Sequence, residues 1–213
     1  MGSPTIVIPA RSGSKGWPRK NVSLFDHTAS IIPKEYSDNV IVTTDDETVT
    51  GLAESYNFKT LQRPEKFSKD SADIKGVIKH VMQSTDYKST DTVIMLYLTY
   101  PERTWDQVKT MYNEFVSTKS RSMLCRQPVK THPCLTMFDN GSGKGTPVID
   151  HQLYQRQQYP ECFEISHYIC MFRAGELNKL NKNMYNKNTT FHSIDRVVDV
   201  DHEKDYKLYL NTI

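Results

Sequence analysis

The segment Thr5-Ile-Val-Ile-Pro-Ala-Arg-Ser-Gly-Ser-Lys-Gly-Trp-Pro-Arg-Lys-Asn21 carries the first structural signal in the chain. Its opening, Thr5 to Pro9, is a short apolar, β-branched run that fits a buried strand. The remainder is a loop in which four cations, Arg11, Lys15, Arg19 and Lys20, stand among small residues. Gly13 and Gly16 tolerate positive φ, so the N–H groups of Ser12, Gly13, Ser14, Lys15 and Gly16 can converge on an anion. A loop directly after the first strand of an open α/β sheet lines the usual ligand crevice. A triphosphate is its natural occupant, matched by charge-assisted hydrogen bonds. A solvated basic loop is the alternative that composition leaves open.

The pattern continues outward from that segment. Asn39 to Thr43 reads as a second strand, with Asp45 as N-cap of a helix reaching Tyr56. Ile74, Val77, Ile78, Val81 and Met82 recur at helical spacing. Thr92 to Leu98 is a continuous apolar run, as in a strand covered on both faces. A helix over Thr104 to Val116 and a strand over Ser122 to Arg126 follow. Strands at Tyr168 to Phe172 and Ile194 to Val200 precede a helix from His202 to Leu210. This alternation predicts an α/β fold with a doubly wound, mainly parallel sheet. Between Gln127 and Pro160 the periodicity fails amid four prolines and three glycines. Residues 127–160 therefore read as an arm inserted into one domain spanning 1–213, and used in dimer contacts.

Composition narrows the function classes. A chain of 213 residues is long enough for one domain with a sizeable core. With 27 Lys+Arg against 25 Asp+Glu the net charge is only +2, which argues against a general nucleic-acid binder. No apolar run approaches the ~20 residues of a membrane span. Met1 to Ala10 lacks the basic and long apolar regions of a secretory signal, and Ile6 stands where myristoylation requires Ser or Thr. Cys125, Cys134, Cys162 and Cys170 form no C-x-x-C pair and read as buried free thiols. The expectation is a soluble cytoplasmic protein without a nucleic-acid or membrane partner. Gly141 to Thr146 resembles a Walker A loop, but Phe138 stands where its first glycine is required and Gly145 follows Lys144, so it reads as a turn.

The opening motif Ile8-Pro-Ala-Arg-Ser-Gly-Ser-Lys-Gly16, with Lys20-Asn21 close behind, resembles the signature of the acylneuraminate cytidylyltransferases (CMP-sialic acid synthetases). Further matches keep that family's order. Val42-Thr-Thr-Asp-Asp46 is similar to V-S-T-D-D, and Arg63-Pro64 with Ser68-Lys-Asp-Ser-Ala72 to R-P followed by S-x-D-x-A. Pro101 with Arg103-Thr104, then Arg156-Gln-Gln-Tyr-Pro160, then Val198-Asp-Val-Asp201 complete the series. The resemblance runs from Ile6 to Tyr209. It implies a Rossmann-like nucleotidyltransferase fold and an enzyme that couples CTP to an acidic α-keto sugar of the nonulosonic type, releasing pyrophosphate. It also implies Mg²⁺ as cofactor and a homodimer.

By that resemblance, Arg11, Ser12, Gly13, Ser14, Lys15, Gly16, Asn21 and Arg63 hold the nucleotide. Arg11 and Lys15 grip the triphosphate, and Asn21 and Arg63 hold the cytidine. Lys20 faces the α-phosphate, so Lys20, Arg11, Lys15 and Asp201 form the catalytic set. Nucleotidyl transfer needs positioning and charge stabilisation more than covalent help from the protein, which suits these side chains. Asp199 and Asp201, two apart on a predicted strand, share one face and suit Mg²⁺. Capping of the last helix by Asp201 is the alternative. Tyr97, Thr99, Arg103 and Arg156 are carried to the sugar, Arg156 across a dimer interface, with an exposed loop arginine as the plainer reading. Asp45 and Asp46 are left outside the catalytic set, at least one of them as a cap.

Three departures distinguish the chain from the family pattern. The stretch between Asn21 and Asn39 is about ten residues short, so the first helix must be short or distorted near Pro33. Met95-Leu-Tyr-Leu-Thr-Tyr-Pro-Glu-Arg-Thr104 replaces most of L-L-Q-P-T-S-P-L-R-T, with Tyr97 for Gln and Tyr100 for Ser. Ser166-His167-Tyr168 stands for Asn-Gly-Ala/Ser, and Leu135 for a lysine. All three concern the sugar side, so CTP use is expected with an altered nonulosonic or octulosonic acid as acceptor. The competing readings are a 3-deoxy-manno-octulosonate cytidylyltransferase, a CTP-binding module that has lost turnover, and a dimeric scaffold built on the arm. Ser12-Gly-Ser-Lys-Gly16 counts against the first of these.

Overall fold

The chain runs β1 (Thr5–Ala10), α1 (Lys20–Ala29), β2 (Val40–Thr44), α2 (Glu47–Ser55), β3 (Lys59–Gln62), α3 (Glu65–Ser68), α4 (Ile74–Gln83) and β4 (Thr92–Met95). It continues through α5 (Trp105–Ser117), β5 (Ser122–Pro128), β6 (Met137–Asp139), β7 (Gly145–Pro147), β8 (Phe163–Arg173), β9 (Thr190–Ser193) and α6 (Glu203–Leu210). The structure is a computed structural model that describes residues 3–69 and 72–211. Asp70 and Ser71, part of the Ser68 to Ala72 match, lie outside the described residues, as do Met1 and Gly2 of the segment read for targeting signals.

Seven strands form one sheet in the order β3-β2-β1-β4-β8-β5-β9. β1 is parallel to β2 and β4, β2 to β3, and β5 to β9, while β8 runs antiparallel to β4 and β5. Alternate residues of the inner strands enter two different cores, as the period of two requires. Ile6, Ile8, Val40, Val42 and Ile94 pack with Phe25 of α1, Val49 of α2 and Phe115 of α5. Val7, Ile41, Val93 and Met95 pack with Ile78 and Val81 of α4, and with Leu177 and Met184. Both faces are covered, so the mainly parallel sheet is doubly wound, and its strands carry unbroken apolar runs. No helix among the described residues is long and apolar enough to cross a membrane.

The shortened first crossover closes with a regular ten-residue α1, and Pro33 opens a 3₁₀ turn over Lys34–Asn39 that delivers the chain to β2. The cap of α2 is Asp46, whose carboxylate accepts from the N–H groups of Thr48 and Val49. Asp45 is free of that task. The run from Thr92 leaves the ladder at Met95. The expected strand over Ile194 to Val200 is also corrected: the last strand is Thr190–Ser193, and after Ile194 N donates to Arg126 O of β5 the ladder ends. Val197 N donates to Gln127 Oε1, Val198 N to Glu102 Oε1, and Val200 N to Thr99 O. Beyond Ile194, side-chain and loop acceptors have replaced the strand ladder.

Within the arm, β6 and β7 form a separate hairpin. Its tip holds Gly141 and Gly143 at φ 77 and 73, so the segment resembling a phosphate loop is a hairpin turn. Cys125 and Cys170 are buried as expected, whereas Cys134 and Cys162 are only half-buried, and all four are free.

Arg103, assigned to the sugar by resemblance, is instead a core brace with 2% of its surface exposed. Its guanidinium donates to the carbonyls of Tyr168 and Tyr97 and to Thr28 Oγ1, joining β8, the segment after β4 and α1. Burial lowers its pKa to about 10, so it stays charged at neutral pH. Arg103→Leu leaves three acceptors unpaired and is expected to cost about 3 kcal/mol. Calorimetry should then record a fall in Tm of roughly 6–12 °C for a domain of this size. A fall below about 2 °C would contradict the bracing role.

Candidate functional site

The chain leaves β1 toward β2 and β3 on one side, then returns on the other side as β4. Strand order therefore switches between β1 and β4, and open α/β sheets bind ligands beyond the carboxyl ends at such a switch. Three adjoining cavities of about 210, 260 and 300 Å³ open there. The first lies among Arg11, Lys20, Asn21, Arg63, Tyr97 and Thr99. The second lies among Arg11, Ser14, Lys15, Gly16, Lys20 and Asp201. The third includes Tyr97, Thr99, Tyr100, His167, Asp199 and Asp201. Shared walls make them one cleft.

The loop after β1 is bound to the opposite end of the chain. Lys20 Nζ lies 3.0 Å from Asp201 Oδ1, a contact between residues 181 apart in sequence. Trp17 packs at a tilt against Tyr206 of α6 with centroids 5.2 Å apart, and His27 meets the Tyr206 hydroxyl at 3.0 Å. Of the two loop glycines, Gly13 takes the expected positive φ, at 66°. Gly16 does not; its need is space. A Cβ there would stand 2.8 Å from the Asp201 carbonyl oxygen and 3.2 Å from the His202 ring.

Three of the residues carried to the nucleotide by resemblance have structural partners that sequence reasoning did not foresee. The N–H and hydroxyl of Ser12 both donate to the Asp45 carboxylate at 2.7 Å, so this N–H does not join the anion nest. Burial pushes the Asp45 carboxyl up, but its hydrogen bonds, led by those from Ser12, outweigh that and hold it below its ordinary value. The parallel register Ala10↔Thr44 explains the contact, because it sets the residues that follow β1 and β2 side by side. Asn21 spends its amide N–H on Arg11 O at 2.7 Å, holding the loop rather than facing outward with both donors. Arg63 is buried, and its Nη2 donates to Thr43 O at 3.0 Å. Its Nε has no partner, although Arg63 lines the cleft. Burial lowers its pKa to about 10, with Asp45 opposing.

Asp199 and Asp201 face the same cavity without a ladder to align them. Val200 between them is fully buried, so the extended backbone still alternates. Asp199 keeps an exposed edge, yet its carboxylate is enclosed, and Oδ2 accepts from Tyr100 Oη at 2.9 Å. Enclosure raises its pKa, hydrogen bonds from Thr99 and Tyr100 oppose the rise, and Asp201 adds to it. The side chain of Asp201 is 65% exposed and does not cap α6, whose N-cap is His202. The described residues hold no group of three or more His, Cys, Asp or Glu able to bind a metal. Two carboxylates in one cavity nevertheless fit Mg²⁺, which takes one or two and completes its shell with water and phosphate oxygens.

Arg156 is exposed on a 3₁₀ turn of the arm (Arg156–Gln158) and lines none of the three cavities. His167, placed on the sugar side by resemblance, lines the third together with Lys182 and Asn183, which sequence reasoning did not single out. Lys182 and Asn183 sit in an Asn/Lys-rich stretch that reads only as a loop. A larger cavity of about 620 Å³ opens at the opposite end of the sheet, among Ser89, Arg121, Arg173 and Glu176. Its buried carboxylate, Glu176, is already met by Arg121, Lys179 and Asn186.

Comparison with known proteins agrees with this geometry. The family model described as Cytidylyltransferase matches residues 5–206. An N-acylneuraminate cytidylyltransferase of Escherichia coli O18:K1:H7 is 42% identical over 91 residues, covering 39% of this chain and 22% of that protein. One from Streptococcus agalactiae serotype V is 27% identical over 149 residues, covering 65% and 36%. A pseudaminic acid cytidylyltransferase of Campylobacter jejuni is 30% identical over 125 residues, covering 54% of each. The matched segments thus span 22–54% of the length of these curated relatives. Among solved structures, a CMP:2-keto-3-deoxy-manno-octonic acid synthetase complexed with CTP superposes with a TM-score of 0.70 at 15% identity, over 100% of both chains. A 4-diphosphocytidyl-2C-methyl-D-erythritol synthase superposes with 0.65 at 10% identity, also over 100% of both. These two likenesses establish the fold.

The close approach at Gly16 yields a direct test. Gly16→Ala must push the loop away from the Asp201 carbonyl, and such overpacking costs about 1–3 kcal/mol. The Trp17 emission should move to longer wavelength as its contact with Tyr206 loosens, and Tm should fall. Unchanged emission together with unchanged Tm would contradict the packing.

Proposed function

The chain belongs to the cytidylyltransferase family, and from that premise we propose that it transfers CMP from CTP to an acidic α-keto sugar of the nonulosonic or octulosonic type, with release of pyrophosphate. The observation that carries the reading is the Lys20–Asp201 contact at 3.0 Å, which brings the basic loop and the acidic segment to one cleft. Arg11, Lys15 and the loop N–H groups are suited to the β- and γ-phosphates. Arg63, with an unpaired Nε beside the first cavity, is suited to the polar edge of the cytosine. Lys20 borders both the first and second cavities, where it can stabilise charge that builds on the α-phosphate. Asp199 and Asp201 are the residues that would hold Mg²⁺. That ion, when bound, would neutralise phosphate charge and make the acceptor hydroxyl more acidic. Tyr100 fixes the Asp199 carboxylate, and Tyr97 and Tyr100 shape the acceptor side of the cleft.

A homodimer is part of the same proposal. The arm exposes Met137 (69%), Phe138 (65%) and Tyr154 (92%), an apolar surface that a second copy could cover. Arg156 on that arm would then be available to the partner's cleft. Four free cysteines suit a reducing cytoplasm.

The reading is tested by pyrophosphate release from CTP and Mg²⁺ with N-acetylneuraminate, pseudaminate and 3-deoxy-manno-octulosonate as acceptors. Release is expected with one of the three. Tight CTP binding without release from any of them would favour a binding module. With the accepted sugar, Asp201→Asn should lower kcat by about 100-fold or more, as removal of a transition-state charge contact does. Lys20→Ala should lower kcat more than it raises the KM for CTP, because its contact strengthens as charge develops. Wild-type kinetics in Asp201→Asn would remove that residue from the site.

A further inference from the structure

We infer that Lys182 receives the carboxylate of the acidic acceptor, an inference that rests on the transfer reading and deepens it by assigning the acceptor's anionic end to a side chain. The third cavity, about 300 Å³, carries two carboxylates on its wall, Asp199 and Asp201. A divalent ion held there would offset their repulsion of an anionic sugar, which leaves the sugar's own carboxylate to be met by a cation of the protein. Lys20 is already engaged by Asp201 at 3.0 Å, and Arg11 and Lys15 line the neighbouring cavities instead. Among the described residues, Lys182 is the one lysine or arginine lining the third.

The backbone presents this lysine from an anchored turn. Asn181 Oδ1 accepts from the N–H groups of Asn183 and Tyr185 at 2.9 and 3.2 Å. Asn181 N donates to Tyr185 O at 2.9 Å, and Met184 N to Asn181 O at 3.1 Å. Met184 adopts φ 63, a left-handed conformation that costs a non-glycine residue about 1–2 kcal/mol. It is held there because its side chain is fully buried in the second core. The His167 ring meets Asn183 O at 3.0 Å and fixes the turn to β8. A turn pinned at both flanks directs Lys182 to the cavity rim, and no hydrogen bond or ion pair occupies its ammonium among the described residues. The flexible stem then lets the ammonium follow a carboxylate. Half-buried Tyr97 lines the same cavity and adds apolar surface to its wall.

The test uses pyrophosphate release with whichever of the three acids the wild-type enzyme accepts. Lys182→Gln should raise the KM for the acid roughly 10- to 100-fold, the loss of one charge-assisted contact, without a comparable rise in the KM for CTP. Lys182→Arg should recover most of the loss. The methyl ester of the same acid should show the raised KM already in the wild-type enzyme, and Lys182→Gln should add little to it. An unchanged KM for the acid in Lys182→Gln, or equal losses on acid and ester, would overturn the assignment while leaving the transfer reading in place. Calorimetric binding of CTP by a wild-type enzyme that turns over none of the acids would overturn the transfer reading, and the assignment with it.

Discussion

The contact of the loop after β1 with the segment before α6 is the constraint on which the site depends. It consists of the Lys20–Asp201 ion pair and the seating of Gly16 against the Asp201 carbonyl. A loop with four cations in ten residues repels itself and would stay open in water. Here a carboxylate on each flank holds it: Asp45, which follows β2, takes the N–H and hydroxyl of Ser12, and Asp201 takes Lys20. Parallel pairing of β1 with β2 and β4 brings one flank into place. The other is brought by a segment whose N–H groups bond to Gln127, Glu102 and Thr99 rather than to a strand.

The cleft that results carries both signs of charge. Arg11, Lys15 and Lys20 make one part basic, and Asp199 and Asp201 make an adjoining part, which Tyr97, Tyr100 and Lys182 also line, acidic. On the proposed transfer, two anionic substrates would approach each other only if charge between them is neutralised, and Asp199 and Asp201 mark where a divalent cation would do so. The rigidity of this arrangement comes from the core. Arg103 ties α1, β8 and the segment after β4 together, so Tyr97, Thr99 and Tyr100 emerge from a fixed base.

The alternation of strands and helices was legible because each inner strand is covered on both faces and α4 keeps a clean helical period. The basic loop was legible because glycine and cations follow a strand. Less accessible were features set by tertiary partners. Asp45 and Asp46 are indistinguishable as neighbours at a helix start; only the position of β1 beside β2 decides that Asp46 caps and Asp45 holds Ser12. Arg103 looks like any polar-site arginine until burial and its three acceptors are known. Ile194 to Val200 has the residues of a strand, but after Ile194 its N–H groups meet side chains and a loop carbonyl instead of a ladder. Lys182 had no local signal at all, because its place at the cavity follows from a turn anchored by a buried Met184.

The joining of the loop after β1 and the segment before α6 into the proposed nucleotide site can be measured by amide hydrogen exchange with and without CTP and Mg²⁺. The account predicts that nucleotide slows exchange together in residues 11–21 and 197–202, while the arm at 133–160 and the opposite end of the sheet are unaffected. Protection of the first segment without the second, or of neither, would contradict it.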